Sequence, residues 1–148
     1  MADNELVITR IFDAPRELVW RAFTDPDELA QWFGPVGWSV PRDTVQIELK
    51  VGGRERFTMV NDADASMTSP VNAVFTEVVE HELLVGAETF EGPNGTATMT
   101  ARMEFSDEPD GRTRLVLRQG PFPPEFLGNA REGWGSSFTK LDALLAKG

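Results

Sequence analysis

The sequence contains no cysteine and only one histidine among its 148 residues. Disulfides and thiolate metal sites are therefore excluded, and a metal would have to be held by carboxylates. No Asp/Glu spacing resembles a calcium loop, so no metal and no other cofactor is expected. Long hydrophobic runs are missing as well: nothing approaches the roughly 18 apolar residues of a membrane helix. The opening "MADNELVITRIF" has no basic head followed by an apolar stretch, so it does not read as a secretory signal. Basic side chains are the minority, 14 against 24 acidic ones, for a net charge of -10. Such a surface repels phosphate backbones and anionic lipids, which disfavours nucleic-acid and membrane partners. These absences predict one cytoplasmic domain spanning 1–148, as a monomer or homodimer, whose acidic exterior suits solubility or a basic patch on a protein partner.

The signatures of common catalytic sites are also absent. A Ser-His-Asp arrangement would have to use His81, which sits in "VEHEL" at a strand turn between two acids, and no "GxSxG" elbow is present. Ser136 and Ser137 fall in the middle of a helical pattern. "GPVGW" and "VGG" lack the spacing and following helix of a phosphate-cradling loop.

What is present is a change of period along the chain. "LVITRIF" reads as a strand, and "DAPRELVWRAF" places Leu18, Val19, Ala22 and Phe23 at helical spacing, with Asp13 or Ala14 as the cap. A second short helix follows, capped by Asp25 with Pro26 at its first position and Glu28 reaching back. Leu29, Trp32 and Phe33 form its apolar face, and Gly34-Pro35 stop it. Val45, Ile47, Leu49 and Val51 then alternate with polar residues as one strand, turning at Gly52-Gly53 into a strand through Phe57 and Met59. "VNAVFTEVV", "LLVGAETF", the Met99–Phe105 alternation and "RTRLVLRQG" continue an antiparallel meander, with a further turn at "GPNG". From Pro124 to Lys147, Phe126, Ala130, Trp134, Phe138, Leu141 and Leu145 recur by threes and fours, predicting a helix of about 22 residues and roughly 33 Å. Gly128, Gly133 and Gly135 weaken its first half, so they either admit close backbone packing or let it flex.

The order predicts an α+β fold: a curved antiparallel sheet of about six or seven strands around a long C-terminal helix, with two short helices after the first strand. A curled sheet and a rod leave a space between them. The stretch "TDPDELAQWFGPVGW" puts Trp32, Phe33 and Trp38 where the chain bends, as the rim of that space. Phe57, Met59, Phe75, Met99, Met103, Trp134 and Phe138 would be its wall, the methionines adapting to an apolar guest. Glu77 and Glu88 lie in strands, where either could face the interior and act as a general acid or base.

The pieces "ITRIFDAPRELVWRAFTDPDELAQWFGP", "VGG", "FTEVVEHELLV", "GRTRLVLRQ" and "GWGSSFTKLDALL" together resemble the START-like (SRPBCC) helix-grip superfamily, in the branch related to the C-terminal domain of the activator of the heat-shock chaperone ATPase. Trp32 stands at the branch's aromatic position, Phe33 where a second tryptophan is frequent, and Trp134 at the helix tryptophan. The resemblance implies a sheet gripping the last helix over an elongated apolar cavity. Members of the wider superfamily bind lipids, sterols, polyketides or plant hormones, catalyse cyclisation or hydroxylation, or assist a chaperone. The iron-sulfur motif of the hydroxylases is impossible without cysteine. Three expectations follow: a module binding a small apolar or aromatic ligand, a chaperone-ATPase stimulator, or a cyclase or dehydratase using a cavity carboxylate.

Overall fold

Tight turns favour pairing between sequence neighbours, and in the computed structural model, which describes residues 5–92 and 95–147, the meander follows that rule while the first strand pairs with the last. β1 (Leu6–Phe12) leads to α1 (Arg16–Thr24) and α2 (Pro26–Trp32), then to two-residue strands β2 (Trp38–Ser39) and β3 (Gln46–Ile47). A meander follows through β4 (Arg54–Asn61), β5 (Thr68–Val79), β6 (Leu83–Gly92), β7 (Gly95–Asp107) and β8 (Thr113–Gly120), and α3 (Leu127–Ala146) ends the chain's described elements. The order across the sheet is β1-β8-β7-β6-β5-β4-β2, with β3 also on β4, and the described pairings are antiparallel. The α+β architecture matches the sequence-based expectation. The sheet has eight strands among the described residues; β3 falls within the expected Val45–Val51 strand, and the short β2 is the addition.

Local chemistry explains most boundaries. The Asp25 carboxylate accepts hydrogen bonds from the backbone N–H groups of Asp27 and Glu28, at 2.8 and 3.3 Å, so the predicted cap of α2 is present. Glu28 does not complete a capping box. The Asp25 N–H already donates to the Arg21 carbonyl, and the Glu28 carboxylate pairs with Arg21 at 2.6 Å. The cap of α1 is Pro15 rather than Asp13 or Ala14; it makes no side-chain hydrogen bond, and its carbonyl receives the Leu18 and Val19 N–H groups. Phe126 lies on a 3-10 turn before α3 and is exposed, so the predicted apolar stripe begins at Ala130. The turn expected at "GPNG" includes Pro93 and Asn94, which lie outside the described residues.

The alternation of Val45 to Val51 predicts one strand, yet the ladder stops at Ile47, and Leu49 and Val51 are 40% and 65% exposed. The cause lies at Gly53. The Phe75 N–H donates to the Gly53 carbonyl and the Gly52 N–H to the Phe75 carbonyl, which draws the turn onto β5 and bows out residues 48–51. A Cβ at Gly53 would sit 2.1 Å from the Glu48 carbonyl oxygen, a backbone atom that cannot step aside. Gly53→Ala is therefore expected to cost about 2–3 kcal/mol, read as a lower urea midpoint with an unchanged slope. A loss under about 0.5 kcal/mol would show that the loop relaxes freely.

One irregularity matters for the site. The β5/β6 register shifts between Phe75 and Glu77, leaving Thr76 as a bulge. Odd-numbered residues face α3 before it (Val71, Ala73, Phe75), and Val78 packs against the core after it. The core gathers α1, α2, the concave face of the sheet and the second half of α3 around Trp32, Phe12, Phe138, Leu29 and Leu141, each at most 1% exposed. Among the described residues no helix is long and apolar enough to cross a membrane.

Candidate functional site

The first half of α3 reaches the sheet at Arg131, which donates to the Val7 carbonyl, and at Trp134, and leaves a gap over the middle strands. Between helix and sheet lies a cavity of about 390 Å³, bounded by the α2 end, β4 to β8 and one face of α3. Its origin can be read from side-chain size. In the middle of the floor, Ala73 on β5, Gly86 on β6 and Ala101 on β7 are small, and Ala130 and Gly133 face them from α3. A Cβ at Gly133 would meet nothing within 4 Å, nor would one at Gly128 or Gly135. Close backbone packing is thus not what these glycines provide. At Gly133 the absent side chain leaves the space open.

Around the floor the wall is large and apolar. Phe33, Phe57, Met59, Phe75, Met99, Met103 and Trp134, all expected from the sequence, line it, joined by Phe23, Leu29, Leu84 and Phe122. The Phe33 ring stands edge-on to Phe57 at 4.8 Å and to Trp134 at 5.5 Å, tying α2, β4 and α3 together at one end. The Trp134 indole N–H donates to the Gln119 Oε1 at 2.8 Å, which fixes the ring along the wall.

Three of the expected residues lie elsewhere. Trp32 and Phe138 are 0% exposed and belong to the packed core, where their rings stack 6.3 Å apart. The Trp32 N–H donates to the Ala22 carbonyl, so its polar edge points into α1 rather than toward an entrance. Trp38 sits on β2 at the sheet edge and is not among the lining side chains. Its carbonyl accepts a 2.9 Å hydrogen bond from Lys140 Nζ, and the Val36 N–H donates to Ser136 Oγ at 2.8 Å. The loop after α2 is therefore fastened to α3 by its backbone.

The carboxylates divide sharply. Glu77 faces away from the cavity because the Thr76 bulge reverses the face that its odd number would give it; it is exposed and 3.4 Å from Arg102. Glu88 lines the cavity, and so does Glu55, which sequence reasoning did not single out. Glu55 precedes Phe57 and Met59 by two and four residues, so strand parity puts all three on one face. That signal was available. The register places Glu55 opposite Ala73 and Ala73 opposite Glu88, so the two acids flank an alanine on one row of the sheet. Burial, and then the nearby Glu88 charge, push the Glu55 carboxyl up to about 7. Burial also raises Glu88, partly offset by the Asn72 N–H that donates to it at 3.4 Å. Among the described residues, no lysine, arginine or histidine lines the cavity, and no group of three or more His, Cys, Asp or Glu is arranged to hold a metal.

Comparison with known proteins agrees with the fold. The sequence profile of the family described as "Activator of Hsp90 ATPase homolog 1-like protein" matches residues 13–146. A Nitrosomonas europaea protein structure is similar at TM-score 0.83 and 27% identity, covering 99% of this chain and 97% of that one. A Chromobacterium violaceum structure gives 0.83 and 26%, with 96% of each chain covered. The AHSA1 protein of Silicibacter pomeroyi gives 0.77 and 28%, covering 96% and 97%. No curated protein matches the sequence.

Proposed function

The chain belongs to the Activator of Hsp90 ATPase homolog 1-like family of the START-like superfamily, and on that premise we propose that it is a binding module for one small, mostly apolar molecule held under α3. The observation that carries this reading is the unfilled space itself: about 390 Å³ with small residues at its centre and large apolar ones around it. Ligand sites of small molecules run from about 300 to 1,000 Å³ and are lined mostly by hydrophobic and aromatic groups with a few polar ones. Phe33, Phe57, Met59, Phe75, Met99, Met103 and Trp134 are the contact residues in this reading.

Gly133→Leu tests it, because the two expected effects have opposite signs. Leucine replaces glycine inside a helix, which adds about 1 kcal/mol of stability, and its side chain enters the open space. Thermal unfolding without ligand should shift upward, while binding of apolar probes, read by calorimetry, should fall by at least about tenfold. Probe binding unchanged in a well-folded Gly133→Leu protein would remove the cavity as the site.

A second reading rests on the family itself, whose description names activation of a chaperone ATPase. In that reading the net charge of -10 docks on a basic chaperone surface. It requires salt-sensitive stimulation of ATP hydrolysis by a purified chaperone, and the absence of any complex at low ionic strength would end it.

A further inference from the structure

We propose that the ligand is an organic cation, an apolar primary or secondary amine whose ammonium group is seated between Glu55 and Glu88 while its hydrocarbon part lies against Phe33, Phe57 and Trp134. This deepens the binding reading above and rests on it.

This protein pairs its charges mainly on its surface. On the exterior, Glu77 meets Arg102, Asp107 meets Arg16 and Asp110 meets Arg112. Water would screen those charges in any case, so the pairs are worth little there. In the cavity an unpaired carboxylate is most costly, and there Glu55 and Glu88 have no cationic partner among the described residues. Two strand spacings of about 4.8 Å separate their backbones, and Ala73 between them is too short to keep their side chains apart. A donor lying above Ala73 could reach both.

The groups facing this pair narrow the ligand's chemistry. From β5 come Ser69, Val71, Ala73 and Phe75, from β7 Met99 and Ala101, and from α3 Gly133, Trp134 and Ser137. None of these carries a charge, so the pair sets the electrostatics of the space. An anionic guest such as a fatty-acid carboxylate is repelled. An ammonium group satisfies both acids at once through charge-assisted hydrogen bonds, and the aromatic faces nearby favour a cation further. The acidic exterior raises the local concentration of cations before they enter.

The proton balance gives a signature. Burial, and then the Glu88 charge, let Glu55 hold a proton up to about pH 7. An ammonium group favours both ionised forms, so binding releases that proton to solvent, and amine affinity rises with pH up to and through about 7. A neutral guest releases none.

The test uses three probes of one shape: naphthylethylamine, naphthylethanol and naphthylacetate, titrated calorimetrically in two buffers of different ionisation enthalpy. At about pH 8 the amine should bind at least about tenfold tighter than the alcohol, and the acid should bind weakest. Near pH 5 the advantage of the amine should shrink to about threefold or less. Glu55→Gln should remove the amine's advantage over the alcohol and the proton release, and Glu88→Gln should reduce both. An alcohol that matches the amine at about pH 8, or an amine advantage that survives both glutamine variants, overturns the proposal. In that outcome alcohol binding that is lost in Gly133→Leu keeps the cavity reading intact. If none of the three probes binds, the cavity reading fails and the amine proposal with it.

Discussion

Trp32→Ala is expected to remove about 4–5 kcal/mol of folding stability, a large share of the 5–15 kcal/mol typical of a domain. Trp32 is fully buried, with the Phe23, Phe33 and Phe138 rings at 4.9, 5.2 and 6.3 Å. Alanine would leave a void that four packed elements cannot close. Trp32→Phe separates the shape of the ring from its N–H. Ala22 lies in the last turn of α1, and the residue four positions on is Pro26, which has no N–H to give the Ala22 carbonyl. The Trp32 indole supplies that hydrogen bond at 2.8 Å. Phenylalanine would keep most of the contact and strand a buried carbonyl, so a loss of about 2–3 kcal/mol is expected. Urea unfolding of both variants, with Trp38→Ala as an edge-strand comparison near 1 kcal/mol, checks the scheme. A Trp32→Phe cost below about 0.5 kcal/mol would mean that the carbonyl finds water or another donor.

The same residue shows how far the sequence could be read. The helix α2, its Asp25 cap and its apolar face follow from spacing and capping chemistry, and the meander follows from alternation and turn residues. Spacing alone puts Trp32 at a rim, because aromatic rings near a Gly-Pro break suit an entrance as well as a core. What decides is the proline four residues after Ala22, whose missing donor calls for a partner from α2. That clue is in the sequence but acquires meaning only when α1 and α2 are known to pack together. Glu77 illustrates a limit of another kind. Its parity with Phe75 points inward, and only the bulge at Thr76 turns it out. No residue type in "FTEVV" announces a bulge. Glu55 is the reverse case: its parity with Phe57 and Met59 was sufficient, and the general tendency of glutamates to face water masked it.

The Glu55 carboxylate should leave its mark on stability as well as on binding. In the unfolded chain it ionises near its ordinary value of 4.5, and in the folded protein near 7. Between those values the folded state holds a proton that the unfolded state has lost, so stability falls as pH rises across that window and is level above it. The full shift would amount to about 3 kcal/mol at 1.36 kcal/mol per unit. Glu55 keeps partial contact with solvent entering the cavity, which screens its charge, so about 2 kcal/mol is the expected size. Glutamine resembles the protonated acid. Glu55→Gln should therefore match the natural protein at about pH 4 and exceed it by about 2 kcal/mol at about pH 8, roughly 4–8 °C in Tm for a domain of this size. The pH dependence of the difference separates this cause from a general packing gain, which would appear equally at both pH values. Equal stability of the two proteins at about pH 8 would mean that the carboxylate is ionised there at no cost, with water or a cation already beside it. If the proposed ammonium ligand binds there, its positive charge would offset this cost in the bound state alone, so the pH-dependent penalty of Glu55 should shrink when the amine probe is present.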